Sequence, residues 1–510
     1  MARSRVPTIG FDFGTSTTMI ATESEVVSLG RDGRTRFMPS VVGYDATGTV
    51  VVGEDAELLD VPIFSIKRAI TTDRQFVRAD MVTRTKDVRA DTLMVALVSE
   101  AVRRATEAGV PVKSRGAVRL GCPAMWTGEQ RRRLVKIANR AGLPVKLDGL
   151  VDEPVAAGIA WLSGDTAPRP DRFRVLVFDM GGGTLDIAVL DVRDRRDVAV
   201  LAAIGLPQAG DTLDEAIAAD LESMLDVRID ALDNPESARA ELRREARRLK
   251  LELSTEDEAP ATFSALYFNS AEIWYSRERL EAAFARQMDE AVAAVVLALR
   301  AAKLTERSPG SLRTVANAPI EQLVKSVDVV VLAGGMAHVP YVRTRLEELF
   351  GPTTEIVHAY PAADDRSLVR SPELAIAVGL AQADNFGRIN MYRPALDILL
   401  ECDDRAGAIT LYEAFTPLMD QGSLRRGSSD IRYVRTARNL SLPRTGTGKL
   451  RVVSHNGSPV RSTLGGRSLD GFPVAIDAEK FEFSLYPYGR IRLVDAAGTH
   501  EGQFEDWHLI

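Results

Sequence analysis

Two kinds of hydrophobic pattern divide the chain near residue 386. Before it, short apolar runs alternate with segments of helical periodicity. Val175–Phe178 and Val327–Ala333 read as buried strands, and Glu236–Leu253 and Tyr341–Phe350 as helices. Such alternation predicts an α/β sheet architecture. After about residue 400 the helical period is gone. Ala408–Tyr412, Ile431–Val434, Lys449–Ser454, Phe481–Tyr486 and Arg490–Val494 follow as strand-like runs, separated by turn signals at Asn456-Gly457, Gly465-Gly466 and Tyr488-Gly489. They predict a small all-β domain. Arg393 to Leu400 lies between, an apolar stretch behind Pro394. It is either the first strand of the β-domain or an interdomain linker. The organisation expected is an α/β unit over 1–385, an apolar linker over 386–400 and a β-sandwich over 401–510.

Composition narrows the class. A length of 510 residues implies at least two compact units, each able to bury a core without staples. The 64 basic and 71 acidic side chains are finely mixed, for a net charge of −7, which argues against a nucleic-acid or polybasic membrane partner. Two cysteines, Cys122 and Cys402, cannot build a disulfide framework. The first ten residues carry no apolar run ahead of a cleavage site, and the longest apolar helical run, Ala291–Leu299, is too short to span a bilayer. A cytoplasmic protein is expected. The five histidines show no metal-binding spacing.

An internal repeat carries the candidate chemistry. Phe11-Asp12-Phe13-Gly14-Thr15-Ser16-Thr17 echoes Phe178-Asp179-Met180-Gly181-Gly182-Gly183-Thr184, and both continue into an Ile-Ala step, at Ile20-Ala21 and Ile187-Ala188. Each copy reads as strand, Asp-x-Gly turn, strand. Two helices rich in small residues, Glu153–Ala160 and Glu373–Ala381, form a looser echo. Two similar halves suggest a cleft on a pseudo-twofold axis. Gly14 and Gly181–Gly183 let backbone N–H groups approach an anion, and Thr15, Ser16, Thr17 and Thr184 add hydroxyl donors. Asp12, Asp179 and Asp186 would repel phosphate, so their sensible role is to hold Mg²⁺ beside it, through its waters. A pair of plain hairpin turns is the alternative. No P-loop motif occurs.

A third turn, Gly334-Gly335, joins a buried strand to the helix Tyr341–Phe350. It could seat a flat group against backbone, or serve strand-to-helix packing alone. On the helix Glu236–Leu253, Arg247, Lys250, Leu251 and Ser254 share one face. Such a face is most often simply solvated.

Taken together these motifs resemble the ATPase domain of the heat-shock protein 70 chaperone family, within the actin and sugar-kinase superfamily. Ile9–Thr17 and Phe178–Ile187 look like the family's two phosphate motifs, and Gly334–Pro340 like its adenosine motif. Asp152–Ala157 and Pro372–Ala381 look like its connecting helices, Phe64–Arg68 like its catalytic-lysine segment, and Cys122–Trp126 with Glu129–Arg131 like its proline switch. Ala414–Leu418 and Leu450–Gly457 resemble its peptide-holding β-sandwich.

The resemblance implies a slow ATPase using ATP/ADP and Mg²⁺ in an actin-like, two-lobed domain. Lys67 would place the attacking water, with Glu153 and Asp186 orienting it or taking its proton. Asp12 and Asp179 would hold hydrated Mg²⁺, and Thr15, Ser16 and Thr184 would touch the phosphates. Gly334 and Gly335 would bracket the nucleoside, and Lys250 and Ser254 would touch ribose and adenine. Pro123 and Arg131 would relay nucleotide state, with Leu399 in the linker. Leu411, Leu450 and Val452 would line the peptide cleft. The partners implied are an unfolded polypeptide or a specific protein client, a J-domain protein and a nucleotide-exchange factor, with no nucleic acid and no membrane.

The sequence departs from the family in places. Arg247 stands where an acidic residue is usual, and Leu251 and His338 stand where arginines sandwich the adenine. Met336 replaces a serine. Tyr412-Glu413 replaces a glycine pair of the peptide cleft. No helical lid is expected, since the chain stops at Ile510. The departures in the β-domain and the missing lid favour an alternative, a nucleotide-gated scaffold that no longer folds clients. A small-molecule kinase or an actin-like filament fits less well, because neither needs a β-sandwich.

Overall fold

The computed structural model describes residues 8–505 and 507, apart from 60, 82–83, 111, 113–117, 226–227, 264–267, 269–272, 307–311, 360–370, 405, 427–430 and 456–459. The expected Asn456-Gly457 turn lies outside the described residues. Two sheets with the same strand logic form the α/β part. The first is five-stranded, in the order Phe37–Pro39, Thr17–Thr22, Ile9–Phe13, Val118–Cys122, Leu150–Asp152. The second is six-stranded, in the order Glu355–His358, Val329–Ala333, Arg172–Met180, Leu185–Arg193, Asp197–Leu206, Gly387–Asn390. In both, an antiparallel hairpin is followed by two strands that join in parallel. The short sequence echo is thus the visible part of a whole repeated topology. Parallel strands need both faces covered, and Val175–Phe178 and Val329–Ala333 are accordingly buried along their whole length.

The two halves meet through the small-residue helices, Glu153–Gly164 and Ala375–Gln382. A Cβ placed on Gly379 would lie 1.7 Å from the Ala156 carbonyl oxygen, so only glycine permits this crossing. Most other expected elements recur with shifted ends. The helix read over 236–253 runs Pro235–Glu252, capped by the Asn234 side chain on the Ser237 N–H. The apolar run Ala291–Leu299 sits inside the long helix Arg277–Thr305, which packs along the second sheet. No helix among the described residues is long and apolar enough to cross a membrane. Cys122 and Cys402 are both buried.

The C-terminal region is all-β. One sheet orders Ala408–Tyr412, Leu396–Cys402, Thr445–Ser454 and Pro473–Asp477; the other orders Tyr433–Thr436, Glu482–Leu485, Arg490–Asp495, Gly498–Phe504, Ser462–Leu464 and Arg467–Ser468. Every pairing in both is antiparallel.

Two expectations need correction. The stretch 386–400 is not an apolar tether. Gly387–Asn390 adds to the edge of the six-stranded sheet, parallel to Asp197–Val200. Leu396–Cys402 is an inner strand of the β-domain, with Leu396, Ile398, Leu400 and Cys402 pointing into the core. Its period of two is the signature of a half-buried strand, and only 391–395 connects the sheets. Leu399 faces the other way, paired in register with Thr410 and Arg451, so it is not a docking residue of a free segment. The supposed peptide contacts Leu411 and Leu450 are fully enclosed in the β-domain core. Of that trio only Val452 is partly exposed.

Candidate functional site

The two Asp-turn hairpins come together at one cleft of about 470 Å³. A Cβ on Gly182 would fall 2.2 Å from the Ser16 hydroxyl, and one on Gly183 would fall 2.7 Å from the Thr15 hydroxyl. The turns therefore interlock, and glycine is required where backbone meets hydroxyl. Gly14, Thr15, Ser16 and Thr17 line one side of the cleft, and Gly181, Gly182, Gly183 and Thr184 the other. These donors can surround an anion with N–H and O–H groups.

Below the turns lies an unusual collection of charge. Asp12, Asp179, Asp186 and Glu153 are all buried, and the one ammonium among them is the buried Lys67. Lys67 donates to Glu153 Oε1 at 2.5 Å. Burial pulls the Lys67 ammonium down, but Glu153 and Asp12 outweigh it and leave it raised. The carboxyls respond in the opposite sense. Burial, then Glu153, pushes Asp12 up to about 7 against Lys67. Burial and Glu153 likewise push Asp186 up to about 7, against hydrogen bonds from Thr184 and Ala124. Asp179 is raised well above the usual range by burial, with Glu153, Asp186 and Asp12 adding to it.

Asp12 Oδ1 and Asp179 Oδ1 are buried without a hydrogen-bond partner, and both residues line the cleft. Two orphaned carboxylate oxygens beside a phosphate cradle fit a hydrated Mg²⁺, which keeps most of its waters and accepts only one or two carboxylates. No group of three or more His, Cys, Asp or Glu side chains suited to a metal occurs among the described residues, so a dedicated all-protein cage is not built. Asp186 differs from its neighbours. It does not line the cleft, and its Oδ1 accepts the Ala124 N–H at 2.7 Å, which ties it to the Cys122–Trp126 loop.

The far end of the cleft is made by Lys250 and Leu251 at the end of the helix Pro235–Glu252, by Ser254 in the turn just beyond it, and by Gly334, Gly335 and His338 from the third glycine turn. Gly334 has φ 77°, and its backbone passes against Met180. Lys250 is held by Asp214 at 2.6 Å, while Leu251 is 63% exposed, an apolar surface free for a flat ring. The His338 ring stacks on His358 at 6.3 Å between centroids and lies 3.8 Å from Glu373.

Sequence reasoning missed a clasp across the cleft. Asp211 follows Gly210 at the start of the helix Gly210–Leu225, and its Oδ2 accepts the Ser65 hydroxyl at 2.6 Å. Arg68 stands 3.7 Å from the same oxygen. Ser65 has φ 53°, a left-handed conformation that a serine adopts only when its surroundings hold it there. Two residues later the chain delivers Lys67 into the site. Nothing in sequence links positions 65 and 211, which lie on different lobes; an Asp at a helix start reads as ordinary capping.

On the other side of Asp186, the Cys122–Trp126 loop reaches the β-domain. Arg131 donates to Trp126 O at 3.1 Å and to Cys122 Sγ at 3.0 Å, pairs with Asp152 at 2.7 Å, and lies 5.0 Å over the Phe415 ring. Burial and then Asp152 oppose each other at Arg131, and the carboxylate prevails, leaving the guanidinium more firmly charged. Burial pushes the Cys122 thiol up to about 12, so it stays protonated. Arg393 also donates to Trp126 O, at 3.1 Å, and Arg132 pairs with Glu413.

The sequence model of a family described as Hsp70 protein matches residues 8–358. Chaperone protein DnaK of Thermotoga neapolitana is 28% identical over 402 residues, covering 75% of this chain and 59% of that protein. Chaperone protein DnaK of Thermoplasma volcanium is 29% identical over 378 residues, covering 68% and 55% respectively. The chain spans somewhat over half the length of these curated relatives.

Two measurements test the site. Because Asp12 and Asp186 hold protons in the folded state that the unfolded chain releases, they stabilise the fold fully below the unfolded value of 3.8, and that contribution is lost as pH rises to about 7. The nucleotide-free, chelator-treated protein is expected to lose Tm between about pH 5 and pH 7.5, with Asp12→Asn flattening the fall and Mg²⁺ raising Tm more at the upper end. A profile unchanged by Asp12→Asn would remove that residue from the linkage. Asp211→Ala, which breaks a charge-assisted cross-lobe bond, is expected to speed release of a fluorescent ADP by about tenfold in stopped flow. Unchanged release would mean that the clasp does not hold the lobes together.

Proposed function

The chain belongs to the Hsp70 protein family, and from that premise we propose that it is a Mg²⁺-dependent ATPase whose nucleotide state is read by the β-domain. The observation that carries this reading is the facing of two Asp-turn hairpins across one cleft, with Lys67 and Glu153 paired between them. The turns and the Thr15, Ser16, Thr17 and Thr184 hydroxyls hold the β- and γ-phosphates. Asp12 and Asp179 hold the cation through its waters; when bound, Mg²⁺ offsets phosphate charge and polarises the γ-phosphoryl group. Lys67 places the attacking water and Glu153 orients it or takes its proton; Asp186, expected to share that role, is set back from the cleft on Ala124 and acts through the Cys122–Trp126 loop. Lys250, Ser254, Gly334, Gly335 and His338 seat the nucleoside. Leu251 and His338 offer apolar and ring contact in place of a guanidinium sandwich, so adenine is gripped less firmly. Such catalysis rests on positioning and charge neutralisation, with little covalent work for the protein.

Coupling is assigned to the contacts around Trp126. Asp186 senses the phosphate end through Ala124, Pro123 heads the turn that presents Trp126 O, and Arg131 and Arg393 meet on that oxygen beside Phe415. Polypeptide segments are the proposed ligands of the β-domain, with a J-domain protein and an exchange factor as regulators. A second reading has its own support: Leu411 and Leu450 are enclosed, and Glu413 is engaged by Arg132. A β-domain whose expected cleft residues Leu411 and Leu450 are enclosed suits a nucleotide-gated scaffold.

Glu153→Gln and Lys67→Ala are expected to bind ATP nearly as the parent does, but to hydrolyse it at least about 100-fold more slowly in single-turnover assays, the loss expected of misplaced water. Parent-like rates would remove both from the mechanism. Unfolded peptides separate the two readings of the β-domain. The chaperone reading expects saturating peptide to raise the steady-state ATPase rate several-fold, and the scaffold reading expects no change.

A further inference from the structure

A second cavity, of about 320 Å³, lies where the two sheets of the α/β part meet the β-domain. It takes no part in the nucleotide site. Three guanidinium groups line it, from Arg119, Arg131 and Arg388. Two of them have partners. Arg119 pairs with Asp384 at 2.7 Å, and Arg131 pairs with Asp152 at 2.7 Å. Arg388 has neither a hydrogen bond nor an ion pair with any described residue. It is half-buried and opens onto the cavity; burial, with repulsion from Arg119, pushes it down to about 10, against the longer-range attraction of Asp384 and Asp152. Asp384 is further engaged by the Thr8 hydroxyl at 3.0 Å, and Asp152 by the Asn390 amide at 3.4 Å. The remaining carboxylate, Asp148, belongs to an exposed residue on the rim. A half-buried guanidinium whose nearest carboxylates are already bonded elsewhere keeps its planar fork of donors for carboxylate or phosphate oxygens.

We propose that this cavity binds a small oxyanion, a phosphate or carboxylate compound, on Arg388. Arg388 and Asn390 belong to the edge strand Gly387–Asn390, and Phe415 and Ala395 close the cavity from the β-domain side. The cavity therefore exists only while that strand is paired with Asp197–Val200 and the β-domain sits against the ATPase part. An anion bound there stabilises the paired arrangement by mass action, because the separated pieces offer no such site. The site stands apart from the ATPase reading, and its failure would leave that reading untouched.

The test is hydrogen exchange over residues 387–391 in the full chain saturated with Mg-ADP, titrated separately with inorganic phosphate and with succinate at constant ionic strength. Gly387 and Met391 donate to Arg196 and Val200 carbonyls, so their amides report on strand pairing. At about ten times its Kd, a binding anion is expected to slow exchange about tenfold. Protection by phosphate identifies a phosphate site and protection by succinate a carboxylate site; protection by neither overturns the proposal. Arg388→Gln is expected to abolish the effect, and equal protection in that variant would place the anion elsewhere, in the nucleotide cleft for example. If Arg388→Gln fails to fold, Arg388→Lys decides. It keeps the charge without the fork and is expected to weaken binding about tenfold, whereas unchanged affinity would remove Arg388 from the site.

Discussion

Four carboxylates packed around one ammonium, away from water, set the terms for the rest of this molecule. Lys67 can satisfy Glu153, and it does so directly. It cannot also satisfy Asp12, Asp179 and Asp186; burial first and the Glu153 charge second raise their carboxyl pKa values, and Asp12 and Asp179 keep orphaned oxygens. Isolated buried charges of this kind cost several kcal/mol each unless protonated or paired. Two things relieve the surplus: protons, or a cation brought in with its own phosphate ligands. On the proposed reading, Mg²⁺ and nucleotide would relieve that cost, and closure of the site would respond to them.

Holding that charge in place requires rigid elements, and the repeated topology supplies them. Each half contributes a hairpin whose two strands are fixed by a full antiparallel ladder. Asp12 and Asp179 each sit one residue before the end of a paired strand, where they cannot shift without breaking the pairing. Between the halves, the Gly379–Ala156 crossing brings the two connecting helices into backbone contact. Glu153, at the start of one of these helices, is thereby anchored to both halves. The Ser65–Asp211 bond closes the opposite edge.

The charged site is also continuous with the β-domain through short, specific contacts. Asp186 is bonded to the loop that ends in Trp126, and Trp126 O receives both Arg131 and Arg393. Arg393 is buried, and burial, with repulsion from Arg131, pulls its guanidinium down. Two like charges held on one carbonyl form an arrangement that small shifts of the loop can unbalance. Adjacency of this kind supplies a physical route; a change at one end must alter the equilibrium at the other for the route to carry information.

Much of the α/β part was legible because its signals are local. The strand Val175–Phe178, the helix ending near Glu252 and the two Asp-x-Gly turns are each written in a few consecutive residues, and the pairing of the turns follows from their repetition. The linker was misread for a physical reason. Leu396–Leu400 is apolar enough to suggest a tether, but alternation of buried and half-buried positions emerges only when the strand finds partners on both sides. The true edge strand, Gly387–Asn390, carries an arginine and an asparagine and has little strand character of its own; pairing with Asp197–Val200 makes it one. Leu411 and Leu450 were correctly seen as apolar strand residues, but which face of a β-sandwich turns inward is decided by register and by the opposing sheet. Sequence by itself determined the two Asp-x-Gly turns with their carboxylates and the division into an α/β and a β part, since each depends on residue type and short spacing, while Lys67 and Glu153 stood out only through the family resemblance. Only the tertiary structure decided that Asp211 meets Ser65, that Arg131 and Arg393 share one carbonyl, and that the Arg388 side chain has no direct ion pair among the described residues, because each of these depends on where distant segments come to rest.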